Sequence, residues 1–579
     1  MTFIMDRTQL LNKLWEYQQQ FGYISNQAIL EISKLLNVSN IEIESVISFY
    51  HFFHKTPTGK HLIYLNNSII SEFKGFDEVK TTFEKETGCT FNEPGNNEFT
   101  LLETSCIGLN DQEPAALINF QPFTDLTPKK VKLIIQKIKN GENVKDFCSK
   151  TISKIRFTPK NDKTVIFRNY RMGESLQQMQ KFSPQQIIAK ISKSKVQGCG
   201  GAFFPTGYKW QSCRNNEDDA KYIICNADEG EPGTFKDRAL LQHLPGLLFE
   251  GMTIAGYATG AKEGIIYLRA EYFFILPELE ALLQEFRNKN YLGKNILGIN
   301  NFEFNIRIQM GAGSYVCGAA SALIESLEGR RGEPPVRTHS ATKHGYLQKP
   351  TVVNNVETLC YAARIIELGE DFFLNIGTPE SPGTKLISIS GDVAKPGIYE
   401  IEYGTSIRDL LGIEMSQATS PYFVQVSGPS GECINNTEFD RKICREDILC
   451  GGAFMVFNRN RDILQVLRNF MEFFKEESCG VCTPCRAGNY ILTEKIKKIQ
   501  RGLCAQEDVD EMKQWGKIIK LTSRCGLGKS SANTVTMAVD KFKDYFNVKI
   551  APSNFNKTVE FDMEDAIHEF DSIIKETQL

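Results

Sequence analysis

Four cysteines carry the most legible chemistry in this chain. Cys479, Cys482 and Cys485 stand at two-residue spacing in ESCGVCTPCRAGN, and Cys525 stands alone far downstream in SRCGLG. Three thiolates this close can cap one face of an iron–sulfur cubane, and a fourth from a distant loop closes it. Gly480, Pro484 and Gly488 keep the loop tight and let backbone N–H groups approach the sulfides, contacts that raise a reduction potential. Structural zinc also takes four thiolates, but the triple spacing matches a 4Fe–4S cluster better than paired zinc knuckles. Cys504, in RGLCAQED, is the alternative fourth ligand, and its helical, polar surroundings favour Cys525 instead. The expected chemistry is one-electron transfer.

A second constellation is rich in glycine: GCGGAFFPTG, NADEGEPGTF, GAGSYVCG and EGRRGEPP. Such loops, set between β-branched runs (YIICN, GIIYLR) and a helical run (SALIESLE), converge on a ligand in α/β domains and offer backbone N–H groups to phosphate. Other cysteines, including Cys89, Cys148, Cys213, Cys360 and Cys433, are isolated and read as small buried apolar residues. Sixteen cysteines in a reducing compartment do not make a disulfide framework.

The elements that must position these groups fall into several domains, as 579 residues require. Residues 1–155 alternate helical periodicity (LLNKLWEYQQQ, AILEISKLL, KKVKLIIQKIK) with strand-like KHLIYLNN and FTLLETSC. The lysine-rich CSKTISKIRFTPKNDKTV reads as a linker. Residues 156–380 form an α/β domain and residues 381–465 a small β-rich one built from KLISISGDV, GIYEIEY and YFVQVSG. Residues 466–545 carry helical spacing around the cysteine motif, and 546–579 form a polar, acidic tail. A net charge of −3 argues against a nucleic-acid-binding surface. No run is long and apolar enough to span a membrane, and the start lacks the order of a secretory signal, so a cytoplasmic location is expected.

The motifs ESCGVCTPCRAGN with SRCGLG, NADEGEPGTFKDR, GAGSYVCG and KPTVVNNVET together resemble the flavin- and NADH-binding subunit of respiratory complex I. With SFYHFFHKTPTGKHLIYL and SCIGLNDQEPA at the N-terminal end, the whole chain is more similar to the large diaphorase subunit of soluble NAD-reducing hydrogenases. That resemblance implies a fold: a thioredoxin-like domain, a Rossmann-like FMN/NADH domain, a ubiquitin-like β-rich domain and a helical bundle holding the cluster. It implies electrons passing between NAD(H), FMN and the 4Fe–4S cluster, flavin converting two-electron to one-electron chemistry. Its flavin contacts carry over onto Gly198, Gly200, Gly201, Lys209, Asn226, Asp228, Glu229, Gly318, Asn354 and Asn355, and its nicotinamide-nucleotide positions onto Phe204, Glu231 and Tyr315. The partners it implies are a small iron–sulfur diaphorase subunit and nickel–iron hydrogenase subunits in a hetero-oligomer.

The chain departs from that family in one pocket. Cys199 replaces an arginine and Phe203 a glycine in the flavin loop; Ala319 and Ala320 replace an acidic pair; Thr338, His339, Ser340 and Ala341 replace a Pro-Pro-Phe-Pro run. Two readings follow: a remodelled but working site, or a catalytically degenerate paralogue serving as scaffold and electron relay. In the N-terminal domain the four positions that hold a 2Fe–2S cluster in related subunits are Asn66, Ser71, Cys106 and Asn110. One thiolate cannot hold that cluster, so no 2Fe–2S is expected there and the domain reads as a docking platform.

Overall fold

The computed structural model describes residues 6–160, 163–336, 339–414 and 421–550. Thr338 and residues 551–579 of the expected tail lie outside them. Three helices, Leu10–Phe21, Asn26–Leu36 and Asn40–Phe49, come first, the last two started by serine caps whose side chains accept from Ala28 N and Glu42 N. A four-stranded sheet follows in the order Phe99–Thr104, His61–Asn66, Ala116–Ile118, Gln121–Phe123, the first pair parallel and the rest antiparallel. Helix Pro128–Lys139 buries Val131, Ile134, Ile135 and Ile138 against it, the one-faced stripe that its periodicity requires.

The central sheet has the order Thr351–Asn355, Tyr222–Ala227, Glu263–Leu268, Glu303–Met310, Gly293–Lys294. The first four strands are parallel and the short last one antiparallel. From Tyr222–Ala227 the chain builds outward to one side and then returns to add Thr351–Asn355 on the other. In open α/β sheets such a reversal opens a crevice beyond the carboxyl ends of the two strands involved. Helices Pro245–Thr259 and Val356–Leu368, buried along most of their length, cover the sheet. Residues of the first three helices join this same hydrophobic core, so the N-terminal segment is packed onto the α/β domain.

A six-stranded sheet has the order Glu432–Asn435, Pro421–Val426, Ala453–Asn458, Thr384–Gly391, Gly397–Glu402, Ile155–Phe157. Its last strand comes from the stretch read as a linker and pairs parallel with Gly397–Glu402. Three residues at a sheet edge, two of them exposed, leave no periodic signal, which is why the sequence hid it. Helix Ile463–Glu476 then leads to a hairpin of Thr483–Gln500 and Gln506–Thr522, followed by the short helices Gly526–Ser531, Asn533–Lys541 and Lys543–Lys549. Among the described residues no helix is long and apolar enough to cross a membrane.

Candidate nucleotide crevice and cysteine cluster

Asn355 ends one of the two strands that flank the reversal, and Asn226, next to last in the other, is its register partner. Asn354 stands beside them, 2% exposed. The indole N–H of the buried Trp210 donates to Asn354 Oδ1 at 3.0 Å, which leaves Asn354 Nδ2 without a partner. Asp228, just beyond the other strand, has an orphaned Oδ2, and burial pushes its carboxyl well above the usual range. Two buried polar atoms with unspent hydrogen-bonding capacity at the mouth of the crevice are what a polar ligand would satisfy. Lys209, on helix Thr206–Asn215, donates to Val353 O at 2.7 Å, and burial lowers its ammonium to about 8.

The glycine loop runs over this floor. A Cβ on Gly200 would meet Asn355 Cβ at 3.2 Å, whereas Gly201 faces open space at φ +101°. Phe203 holds φ +49°, a left-handed conformation that costs a non-glycine residue roughly 1–2 kcal/mol. The loop thus keeps a glycine-like path despite the ring. Phe204 is 46% exposed beside Tyr208, ring centroids 5.7 Å apart. Cys199 is buried, its thiol pushed up to about 12 by burial and then by Glu357, so it is an inert filler. Ala320 is exposed at the start of helix Ala320–Leu327, with Ala319 as its cap residue. Ser340 Oγ bonds Thr342 Oγ1 at 2.6 Å, which in turn bonds Ser212 Oγ on the Lys209 helix at 2.8 Å.

Glu229 and Glu231 have different employments. Glu229 accepts from Asp237 N at 2.7 Å, Arg238 N at 3.0 Å and Tyr272 OH at 2.9 Å. It caps helix Lys236–His243 rather than facing the crevice with a free carboxylate, and burial raises it to about 7. Glu231 accepts from Tyr315 OH and, at 2.9 Å, from Ser430 N, and burial raises it also to about 7. Gly318 O accepts from Asn226 Nδ2 at 2.8 Å, which brings the Tyr315 loop to the strand ends. Tyr315 N donates to Glu477 Oε2 at 2.8 Å, and its ring lies 5.0 Å from that of Phe473. One residue therefore touches both the crevice and the segment leading into Cys479.

The cysteines are sorted by the hairpin. Cys485 begins helix Thr483–Gln500, Cys525 follows Gln506–Thr522, and Cys504 lies in the turn between. An 18-residue helix is about 27 Å long at 1.5 Å per residue, so Cys504 sits at the far end. Cys485 thiol is raised to about 11, by burial and then by Cys482, Cys525 and Cys479. Cys479 is raised by burial and, further down, by Cys525 and Cys482. Cys479, Cys482 and Cys525 pack against the same apolar cluster that buries Cys485, and a donor set of four thiolates fits an iron–sulfur cluster. Among the described residues, no three His, Cys, Asp or Glu side chains close around a point the size of a single ion; a cubane, being larger, holds its ligands further apart.

Sequence reasoning missed the buried charges behind the crevice. Lys236 pairs with Asp237 at 2.7 Å and Glu357 at 3.1 Å, and Lys385 with Glu357 at 2.5 Å, all nearly or fully buried. Asn355 Nδ2 joins them through Asp237 Oδ2 at 2.5 Å. FKDR and NNVET carried the only signal, and nothing in either shows that they meet.

Comparison with known proteins places each part. Residues 191–364 match the Nuo51 FMN-binding domain, 465–549 the NADH-ubiquinone oxidoreductase-F iron-sulfur binding region, and 2–139 the thioredoxin-like [2Fe-2S] ferredoxin family. The NAD-reducing hydrogenase HoxS subunit alpha of Cupriavidus necator is 44% identical over 99% of this chain and 97% of its own length. The chain belongs to this family of hydrogenase alpha subunits. The NADP-reducing hydrogenase subunit HndC of Solidesulfovibrio fructosivorans is 37% identical over 67% of the chain and 80% of its own length. The crystal structure of an NAD+-reducing [NiFe]-hydrogenase in the H2-reduced state superposes with a TM-score of 0.89 at 33% identity, covering 98% of this chain and 97% of that one.

One expectation is corrected by this membership. The thiol count predicts no 2Fe–2S cluster in the N-terminal domain, yet residues 2–139 match a family of [2Fe-2S] ferredoxins. A count of thiols at four matched positions ignores the rest of the domain, which retains the family pattern. Asn66, Cys106 and Asn110 share one buried polar pocket. Cys106 Sγ donates to Asn110 Oδ1 at 2.8 Å, and Asn66 and Asn110 both donate to Glu113 Oε1. Ser71, fully buried, lies on the short helix that Ser68 of this pocket precedes.

Proposed function

We infer that this chain is the diaphorase subunit of a hydrogenase, carrying electrons between NAD(H), FMN and a 4Fe–4S cluster held by Cys479, Cys482, Cys485 and Cys525. The observation that carries this reading is Tyr315, whose hydroxyl reaches Glu231 at the crevice while its backbone reaches Glu477 beside the cysteine loop. The full-length likeness to a NAD-reducing hydrogenase subunit supports it. None of the comparisons supports a scaffold that has lost its nucleotide site.

Flavin, when bound, supplies the exchange between hydride transfer and single-electron transfer. The chain's own residues do the rest. Asn354 Nδ2, Asp228 and Asn226 present polar groups at the strand ends, and the Gly198–Gly201 loop with Lys209 offers donors suited to a phosphate. Glu231 holds a proton up to about pH 7, hydrogen-bonded to Tyr315 and Ser430, so the crevice wall carries no full charge there at neutrality. Phe204, Glu231 and Tyr315 are the residues proposed to meet the nicotinamide nucleotide. A small iron–sulfur subunit and nickel–iron hydrogenase subunits are the proposed partners, in the cytoplasm.

The test is the flavin and iron content of the full-length protein together with NADH-dependent ferricyanide reduction. Stoichiometric flavin with turnover is expected. Protein that retains its 4Fe–4S cluster but takes up no FMN from solution and reduces no ferricyanide would overturn the reading.

A further inference from the structure

Around Cys485 lies a set of buried polar groups that no ligand assignment uses. Asn489, one helical turn on, is fully buried, and its Nδ2 donates to Cys485 Sγ at 3.5 Å and to Phe474 O at 3.3 Å. Phe474 O can only accept, so it fixes which end of the amide faces the sulfur, and Ser531 Oγ anchors the other end by donating to Asn489 Oδ1 at 2.8 Å. Ser531 is itself 1% exposed and ends helix Gly526–Ser531, which Cys525 precedes. The Asn489–Ser531 bond therefore ties the segment bearing one ligand to the segment bearing another. Ser478 Oγ lies 3.3 Å from Cys485 Sγ on the other side. Ser523 Oγ is buried with no partner, and Gly528 is wedged against both Ser523 and the Cβ of Cys485.

A buried polar group in an apolar bundle is costly unless it is satisfied, and Asn489 is satisfied in part by aiming its donor at one sulfur. Donors aimed at a cluster's thiolates stabilise the more negative, reduced form and raise the reduction potential. We propose that Asn489, held in orientation by Ser531, is a positioning and tuning residue that donates to the Cys485 thiolate and sets the potential of the cluster upward. The inference rests on the assignment of the four cysteines as 4Fe–4S ligands.

The experiment uses the full-length chain with its cluster, and reads the midpoint potential from the reduced-state EPR signal titrated against applied potential. Asn489→Leu removes the donor at similar volume; Ser531→Ala leaves the amide but removes the bond that anchors its oxygen, loosening its aim at the sulfur. Each is expected to keep its iron and to shift the reduced-to-oxidised ratio at fixed potential up to about tenfold toward oxidised, which is ~59 mV lower for one electron. Absence of any 4Fe–4S signal in the unmodified protein would sink the ligand assignment itself, separately from the tuning. An unchanged midpoint in both variants, with the signal intact, overturns the tuning role. If Asn489→Leu fails to hold iron, Ser531→Ala decides: a lowered midpoint supports the proposal, while an unchanged midpoint or loss of its cluster overturns it in favour of a purely structural role.

Discussion

Glu231 gives the sharpest test of the crevice. Its carboxyl is raised from 4.5 to about 7 by burial, against the lowering effect of its hydrogen bonds with Tyr315 and Ser430. That displacement amounts to roughly 3 kcal/mol of preference for the neutral form in the folded protein. A raised acid contributes stability that is fully present below its unfolded value near 4.5 and is lost as pH rises through about 7. Glu231→Gln, neutral at every pH, removes this dependence. With unfolding entropy of about 2.1 cal/mol/K per residue, the chain's 579 residues convert ~3 kcal/mol into on the order of 2–3 °C in Tm if it melts as one unit. The assay is Tm of both proteins from pH 5 to 8, taken as a difference because Glu229 is also raised to about 7. The variant should gain on the parent as pH rises. Parallel curves would refute the assignment of a buried neutral carboxyl at this position. Tyr315→Phe removes a bond that lowers Glu231, so the pH at which the difference levels off should move above 7.

Other outcomes follow from the same geometry. Cys485→Ala should abolish the reduced-state EPR signal of the 4Fe–4S cluster, whereas Cys504→Ala, at the far end of the hairpin, should leave it unchanged. Lys209 is lowered to about 8 by burial, so FMN binding, followed by fluorescence quenching, should weaken as pH rises past 8, and Lys209→Arg should flatten that profile. Arg238 is fully buried, donates to Gly108 O at 2.9 Å and Ser153 Oγ at 2.8 Å, and pairs with Asp111 at 2.8 Å. Removing one partner of a buried ion pair costs about 3–5 kcal/mol. Arg238→Met should lower Tm accordingly, and Asp111→Asn in that background should cost less than it does alone; equal cost in both backgrounds would show that the pair is not coupled.

Much of the secondary structure was legible because it is periodic. The helices that hold Cys485 and its neighbours, the strands Tyr222–Ala227 and Glu263–Leu268, and the glycine loops between them announce themselves through spacing that can be counted along the chain. So do the three clustered cysteines, since three thiolates at that interval leave few other uses. What spacing cannot carry is a meeting between distant segments. Trp15 Nε1 donates to Gly311 O at 3.0 Å, His51 N to Gly313 O at 3.0 Å, and Arg269 Nη2 to Cys106 O at 2.7 Å. By these bonds the N-terminal domain props the loops of the crevice, a role that docking alone did not foresee.

The sequence by itself determined which groups were available: four thiols, a glycine loop, a lysine, three asparagines and several carboxylates. Only the tertiary structure decided what each could do. It separated Cys504 from Cys525 by the length of a helix, turned Glu229 into a cap while leaving Glu231 at the wall, and aimed Asn489 at a sulfur. Those decisions belong to packing, because burial and orientation are properties of neighbours in space, and residue type with local spacing specifies neither.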